Sequence, residues 1–222
     1  SMATYYPDFV MVYVPNTPFQ KLKDGMERDK PLQNGKIDTA NEDDETNAER
    51  SLRRTKKKIR DYVLCNKFDV FVTFTFATER QDADRCRSRM NVWLKNQQKR
   101  VGYFKYLIVP ERHKDGALHF HALFEGYNGN VDRATNPHTG KPLRKRGRRI
   151  YQLPSYTAGF TNVERIDDTP ESRSRVAMYI SKYITKDMPL FAHKNRYWAS
   201  VRLKIPTILY NVPPWYIDEE PE

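Results

Sequence analysis

The sequence predicts an α+β fold, a central antiparallel sheet with flanking helices. Three observations predict it. Four stretches rich in β-branched and aromatic residues, FDVFVTFTFA (68–77), YFKYLIVPE (103–111), ALHFHALFE (117–125) and AGFTNVERI (158–166), read as strands. Two stretches, 81–100 and Pro170 to about Asp187, read as helices. The second and third strands are joined through Asp115-Gly116, a turn signal that folds them into a hairpin. The resulting order, strand, helix, hairpin, strand, helix, places helices against one antiparallel sheet.

The elements follow in chain order. Residues 1–45 are expected to form a partly ordered arm, and 46–222 the main domain. Within the arm, one apolar run, Phe9 to Val14, predicts a strand that Pro15 ends. Residues 41–50 are acidic and polar, and SLRRTKKKIR (51–60) reverses the sign. That pattern describes either one charged helix with its acids first, as the helix dipole prefers, or a solvated linker. The first helix, 81–100, lacks Gly and Pro and carries Met90, Val92 and Trp93 among charges. Residues 126–150 read as a loop, early with Gly, Asn and Pro and late with KPLRKRGRR. Pro170 suits the first position of the second helix and Pro189 helps to end it. RYWASVRLKIPTILY (196–210) adds a strand or packs as an arm.

A chain of 222 residues can bury a core without disulfides or structural metal. Its 39 Lys and Arg against 28 Asp and Glu leave a net charge of +11. Such an excess points to a polyanionic partner, nucleic acid first, with plain solubility as the alternative. Cys65 and Cys86 lack metal-ligand spacing, so free thiols in a reducing compartment are expected. No apolar run approaches the length of a membrane span, and no signal peptide is visible.

Candidate chemistry begins with His119-Phe120-His121. Side chains alternate across a strand, so both histidines share a face, their Cα atoms about 6.6 Å apart. Phe120, with Leu118 and Ala122, points to the other face. Glu111 ends the preceding strand, and the hairpin brings it back towards the histidines. Two imidazoles and a carboxylate suit Mg²⁺ or Mn²⁺ with positions left for water and a phosphate oxygen. A bare His-x-His also arises by chance on a surface strand. His113, His138 and His193 read as exposed polar residues.

The second helix carries VAMYISKYITK (176–186). Helical spacing puts Tyr179, Lys182, Tyr183 and Lys186 in one sector of about 100°. Val176, Ala177, Ile180 and Ile184 fall on the adjoining sector. Taken alone, that spacing reads first as ordinary packing at a core edge. Chemically, a phenol is a weak nucleophile near neutrality, and a neighbouring cation either lowers its pKa or takes charge from a phosphate.

FVTFTF (71–76), LHFHALF (118–124) and YISKYITK (179–186) together, in this order, resemble the three motifs of HUH rolling-circle replication initiators. The resemblance is closest to those of small single-stranded DNA phages and related plasmids. KNRYWASVRLKIP resembles the tail of that phage group, and the likeness spans about residues 68–206. It implies an RRM-like palm with the histidines on its central strands. It implies His119 and His121 as metal ligands, with Glu111 matching the acidic third. It implies a nucleophile among Tyr183 and Tyr179, Tyr183 slightly ahead, with Lys182 the phosphate-contacting lysine before Lys186. The reaction so implied nicks single-stranded DNA at a replication origin through a 5′-phosphotyrosine. No Walker-type phosphate loop occurs, so no ATP hydrolysis is expected and a host or separate helicase would open the duplex. The expected location is a bacterial cytoplasm for a phage or plasmid protein, and a nucleus for one from a eukaryotic virus.

Two basic runs suit phosphate contacts: Arg144, Lys145, Arg146, Arg148 and Arg149 in the loop, and Lys56, Lys57 and Lys58 on the charged helix. Tyr151, Tyr156 and Phe160 follow the loop and either stack on bases or fill the core, the core being favoured for Phe160. Three other readings stay open. They are a non-catalytic RRM-like nucleic-acid-binding module, a single-tyrosine transposase, and a metal-dependent hydrolase that uses only the histidines and Glu111.

Overall fold

The computed structural model describes residues 1–14, 46–189 and 196–213. Three helices are described: α1 (Asn47–Cys65), α2 (Ala83–Val101) and α3 (Pro170–Ser181). The strands are β1 (Met2–Tyr5), β2 (Val10–Tyr13), β3 (Val70–Phe74), β4 (Lys105–Arg112), β5 (Leu118–Glu125), β6 (Asp132–Arg133), β7 (Arg144–Lys145), β8 (Arg148–Arg149), β9 (Tyr151–Gln152), β10 (Thr161–Arg165), β11 (Trp198–Ala199) and β12 (Thr207–Tyr210).

A seven-stranded antiparallel sheet in the order β11-β4-β5-β3-β10-β9-β6 forms the centre, so the fold is α+β. Period-two alternation divides its strands between two cores. Val72, Phe74, Ile108, Phe120, Ala122 and Phe124 point to one face and pack with Met90, Trp93 and Leu94 of α2. Phe71, Leu107, Val109 and Leu123 point to the other, under Ile59 and Val63 of α1 and Ala177 and Ile180 of α3. The sheet is therefore helix-covered on both faces.

Local chemistry sets the helix ends. Thr46 and Glu49 form a reciprocal capping box, which resolves the charged stretch in favour of a helix; residues 41–45 lie outside the described residues. Asp82 caps α2, and Gly102 closes it in a conformation with φ of 85°. Thr169 caps α3 with Pro170 behind it. The sequence predicts that α3 runs to about Asp187, but the regular helix stops at Ser181. The amides of Lys182, Tyr183 and Ile184 bond three residues back, to Tyr179, Ile180 and Ser181, so the chain tightens as it leaves the helix.

Two further differences concern the chain's flanks. The stretch 126–150 is not loop throughout: β7 and β8 form a hairpin whose turn, Arg146-Gly147, has both residues at positive φ. The arm holds two strands rather than one, and β1 sits between β2 and β12 in a separate three-stranded sheet. Segment 196–210 thus supplies both an edge strand of the main sheet, β11, and the partner of the arm. The arm is tied to the helices as well. Tyr6 donates to Asp61 of α1 at 2.6 Å, and Arg173 of α3 pairs with Asp8 at 2.9 Å.

Candidate active site

Strand register builds the site. β4 and β5 pair with Glu111 opposite His119 and Val109 opposite His121. β3 adds Thr73 opposite His121, its hydroxyl 3.3 Å from Nδ1 of that histidine. Glu111, His119, His121 and Thr73 therefore share the face that α1 and α3 cover, towards the hairpin end of the sheet. Phe120 is fully buried on the opposite face, as alternation requires.

Glu111 is the hub. Its Oε2 lies 2.7 Å from Nε2 of His121 and 3.2 Å from Nε2 of His113. The rings of His113 and His119 stand 3.8 Å apart. One ligand atom from each of Glu111, His113 and His119 lies within 4.8 Å of the others, a spacing that could hold a metal ion. The sequence reading makes His113 merely an exposed polar residue. It instead joins the group, because it follows Glu111 by two residues and so returns to the same face, where its amide donates to Ala117 across the hairpin. That alternation is the signal in the sequence. His138 is exposed, its amide bonded within its own turn, and His193 lies outside the described residues.

The protonation states favour cation binding. Burial first, then the neighbouring His113 and His121, pushes His119 down to about 4, leaving a neutral imidazole at neutral pH. Burial also lowers His121, which is only 4% exposed, against the opposing pull of Glu111. The hydrogen bond from His121 chiefly holds the Glu111 carboxyl below its ordinary range. A carboxylate with neutral imidazoles is a donor set suited to a hard or borderline divalent cation.

The tyrosines meet this group from α3. Tyr183 stacks on His121, ring centroids 3.8 Å apart and planes 9° from parallel. Tyr179 stands edge-on to Tyr183 at 5.6 Å and to Phe71 at 5.6 Å, and is 47% exposed. Burial raises the Tyr183 phenol, helped by its hydrogen bond with Tyr179 and by the charge of Glu111. Lys182 does not relieve it: that ammonium lies over the Tyr179 ring, 5.5 Å from its centroid. Lys186 is turned to α1, where it pairs with Glu49 at 3.0 Å. The shared sector expected of the four residues is thus split, since the chain has left the regular helix before Tyr183.

The basic runs are placed differently from one another. Arg144, Lys145, Arg146, Arg148 and Arg149 are all exposed on the β7–β8 hairpin. Lys145 is close enough for its charge to act on His121. On α1, Lys56 is exposed, Lys57 pairs with Asp61 at 2.7 Å, and Lys58 lies 5.1 Å over the Tyr62 ring. Tyr156 is buried and donates to Thr75, whereas Phe160, expected in the core, is 41% exposed. Cys65 and Cys86 are both buried free thiols. No helix among the described residues is long and apolar enough to cross a membrane.

Residues 69–188 match the model of a family of replication-associated proteins, the ORF2 type. No curated protein and no solved structure matches the chain.

Proposed function

The chain belongs to that family of replication-associated proteins, and on this premise we propose that it is a site-specific single-stranded DNA endonuclease and strand transferase. It would nick a replication origin to start rolling-circle synthesis. The observation that carries this reading is the stacking of the Tyr183 phenol on His121, within the Glu111, His113 and His119 group.

The chemistry follows from the residues. The phenol oxygen of Tyr183 attacks the phosphorus of a phosphodiester; an O–P bond forms to the tyrosine, and the bond to the 3′-oxygen breaks. The phenol gives up its proton and the departing 3′-oxygen takes one, which leaves a 5′-phosphotyrosine and a free 3′-hydroxyl. Attack by a later 3′-hydroxyl reverses these bonds and joins strands. Tyr179, one turn earlier, is the second candidate nucleophile and the more exposed.

Positioning falls to charge. Glu111, His119, His121 and His113 would hold Mg²⁺ or Mn²⁺, which when bound supplies positive charge to the phosphate oxygens. Lys182, beside Tyr179, faces solvent and can contact a phosphate. Arg144, Lys145, Arg146, Arg148 and Arg149 offer the backbone a run of cations next to the site, with Lys56 on α1 as a more distant one.

The test is incubation with single-stranded origin oligonucleotides and Mn²⁺, resolved on a denaturing gel. A shifted band that protease collapses is the expected covalent adduct. Free cleavage products with no adduct would instead support a metal-dependent hydrolase, and binding without either would support a nucleic-acid-binding module.

A further inference from the structure

We propose that Phe160 is a nucleobase-stacking platform, on which a base close to the phosphate bound at His119 lies. The inference rests on the reading of the site as one for single-stranded DNA.

Phe160 immediately precedes β10. Its neighbour Thr161 is 2% exposed and pairs with the fully buried Phe74. Alternation therefore turns Phe160 to the other face, the one carrying Thr73, His119, His121 and Glu111. The register Thr73↔His121 and Asn162↔Thr73 runs across three strands. One step further along the same strands, Thr75 bonds Phe160 on one side and follows the line of His119 on the other. At the usual strand separation Phe160 then lies about 10 Å from His119. At that distance a base on Phe160 and a phosphate at His119 belong to neighbouring nucleotides.

The platform is held rigidly. Thr75 donates its amide to the Phe160 carbonyl at 2.9 Å, and Phe160 donates its own amide to the Thr75 hydroxyl at 3.0 Å. Tyr156 donates to the Thr75 carbonyl at 2.6 Å. Gly159 lies so close to Thr75 that a Cβ there would sit 2.2 Å from the Thr75 carbonyl oxygen. A large apolar ring presented to solvent from so fixed a backbone is stabilised by no core of its own. Bases have a π-face whatever their identity, and stacking on a fixed aromatic is sequence-tolerant.

The surroundings match a polyanion. β9 pairs with β10, and the hairpin with Arg144, Lys145, Arg148 and Arg149 is inserted between β6 and β9, at the same edge. Lys145 acts on His121, so this hairpin reaches the site's side of the sheet. A strand running from the hairpin to the histidines passes Phe160.

The full chain should be titrated, without divalent cation, into a dT oligonucleotide carrying single 2-aminopurine bases. Phe160→Ala should bind about 5- to 100-fold more weakly, whereas Phe160→Trp should bind as wild type and quench one or two adjacent 2-aminopurines. Because Phe160 is exposed, equal melting temperatures of the variants are expected and confirm folding. Wild-type affinity in Phe160→Ala, or absence of binding by the wild type, would overturn the proposal. Failure of the adduct assay alone would overturn the nicking chemistry and leave the stacking intact.

Discussion

The phenol ring of Tyr183 lies flat on the imidazole of His121, with centroids 3.8 Å apart. This contact joins the tyrosine-bearing end of α3 to the ligand-bearing strand β5. It also means that the two residues cannot be changed independently: loss of either ring removes one wall of the other's site.

Tyr183→Phe keeps that stacking and removes only the hydroxyl. The expected outcome is unchanged melting and DNA affinity, with adduct formation reduced at least about 1000-fold. Tyr179→Phe should still form a first adduct and fail in the second transfer. A gel in which Tyr179→Phe alone abolishes the first adduct would reverse the two roles.

His113 reaches Glu111 at 3.2 Å, yet it is exposed and makes no part of either core. His113→Ala should therefore leave the fold intact and weaken Mn²⁺ affinity about 10- to 100-fold. Calorimetric titration of Mn²⁺ checks this. An unchanged affinity would return His113 to the role of an exposed polar residue.

The pH dependence of stability has a definite sign. Folding lowers His119 from its ordinary 6.5 to about 4. The unfolded chain thus binds the proton more readily. Stability from the neutral imidazole is complete above pH 6.5 and is lost as pH falls from there towards 4. Glu111, itself held low by His121, adds a loss below the ordinary carboxylate pKa of 4.5. The metal-free protein should melt at progressively lower temperature between about pH 7 and pH 4. His119→Gln should show a shallower decline across that window. Parallel curves would mean that His119 is not desolvated as described.

Much of this site is legible in the sequence because a strand's period is fixed. His-x-His, the opposite facing of Phe120, and the return of Glu111 by the hairpin all follow from alternation and one turn. The same rule finds His113 when it is carried past Glu111 by two residues. What is not legible is what depends on contacts distant in sequence. The early end of α3 depends on the tightened bonds after Ser181, and Lys186 turns to Glu49, 137 residues away. Phe160 reads as a core residue because its strand is apolar. Its exposure follows from the register with Thr75, 85 residues away, and from the close approach of Gly159.

That close approach makes the last prediction. A methyl group on residue 159 would lie 2.2 Å from the Thr75 carbonyl oxygen and 2.8 Å from the Phe76 Cα, both backbone atoms. Neither can swing aside as a side-chain tip would, since β3 is paired on both sides. Gly159→Ala must therefore push the Gly159-Phe160 segment off the end of β3, breaking its bonds to Thr75. Such overpacking costs about 1–3 kcal/mol, a fall in melting temperature of roughly 2–4 °C per kcal/mol for a chain of this size. The displaced Phe160 should also lose its grip on single-stranded DNA, so Gly159→Ala should weaken dT oligonucleotide binding under conditions where the variant is fully folded. A variant with lowered stability but undiminished affinity would show that the position of Phe160 does not matter to binding.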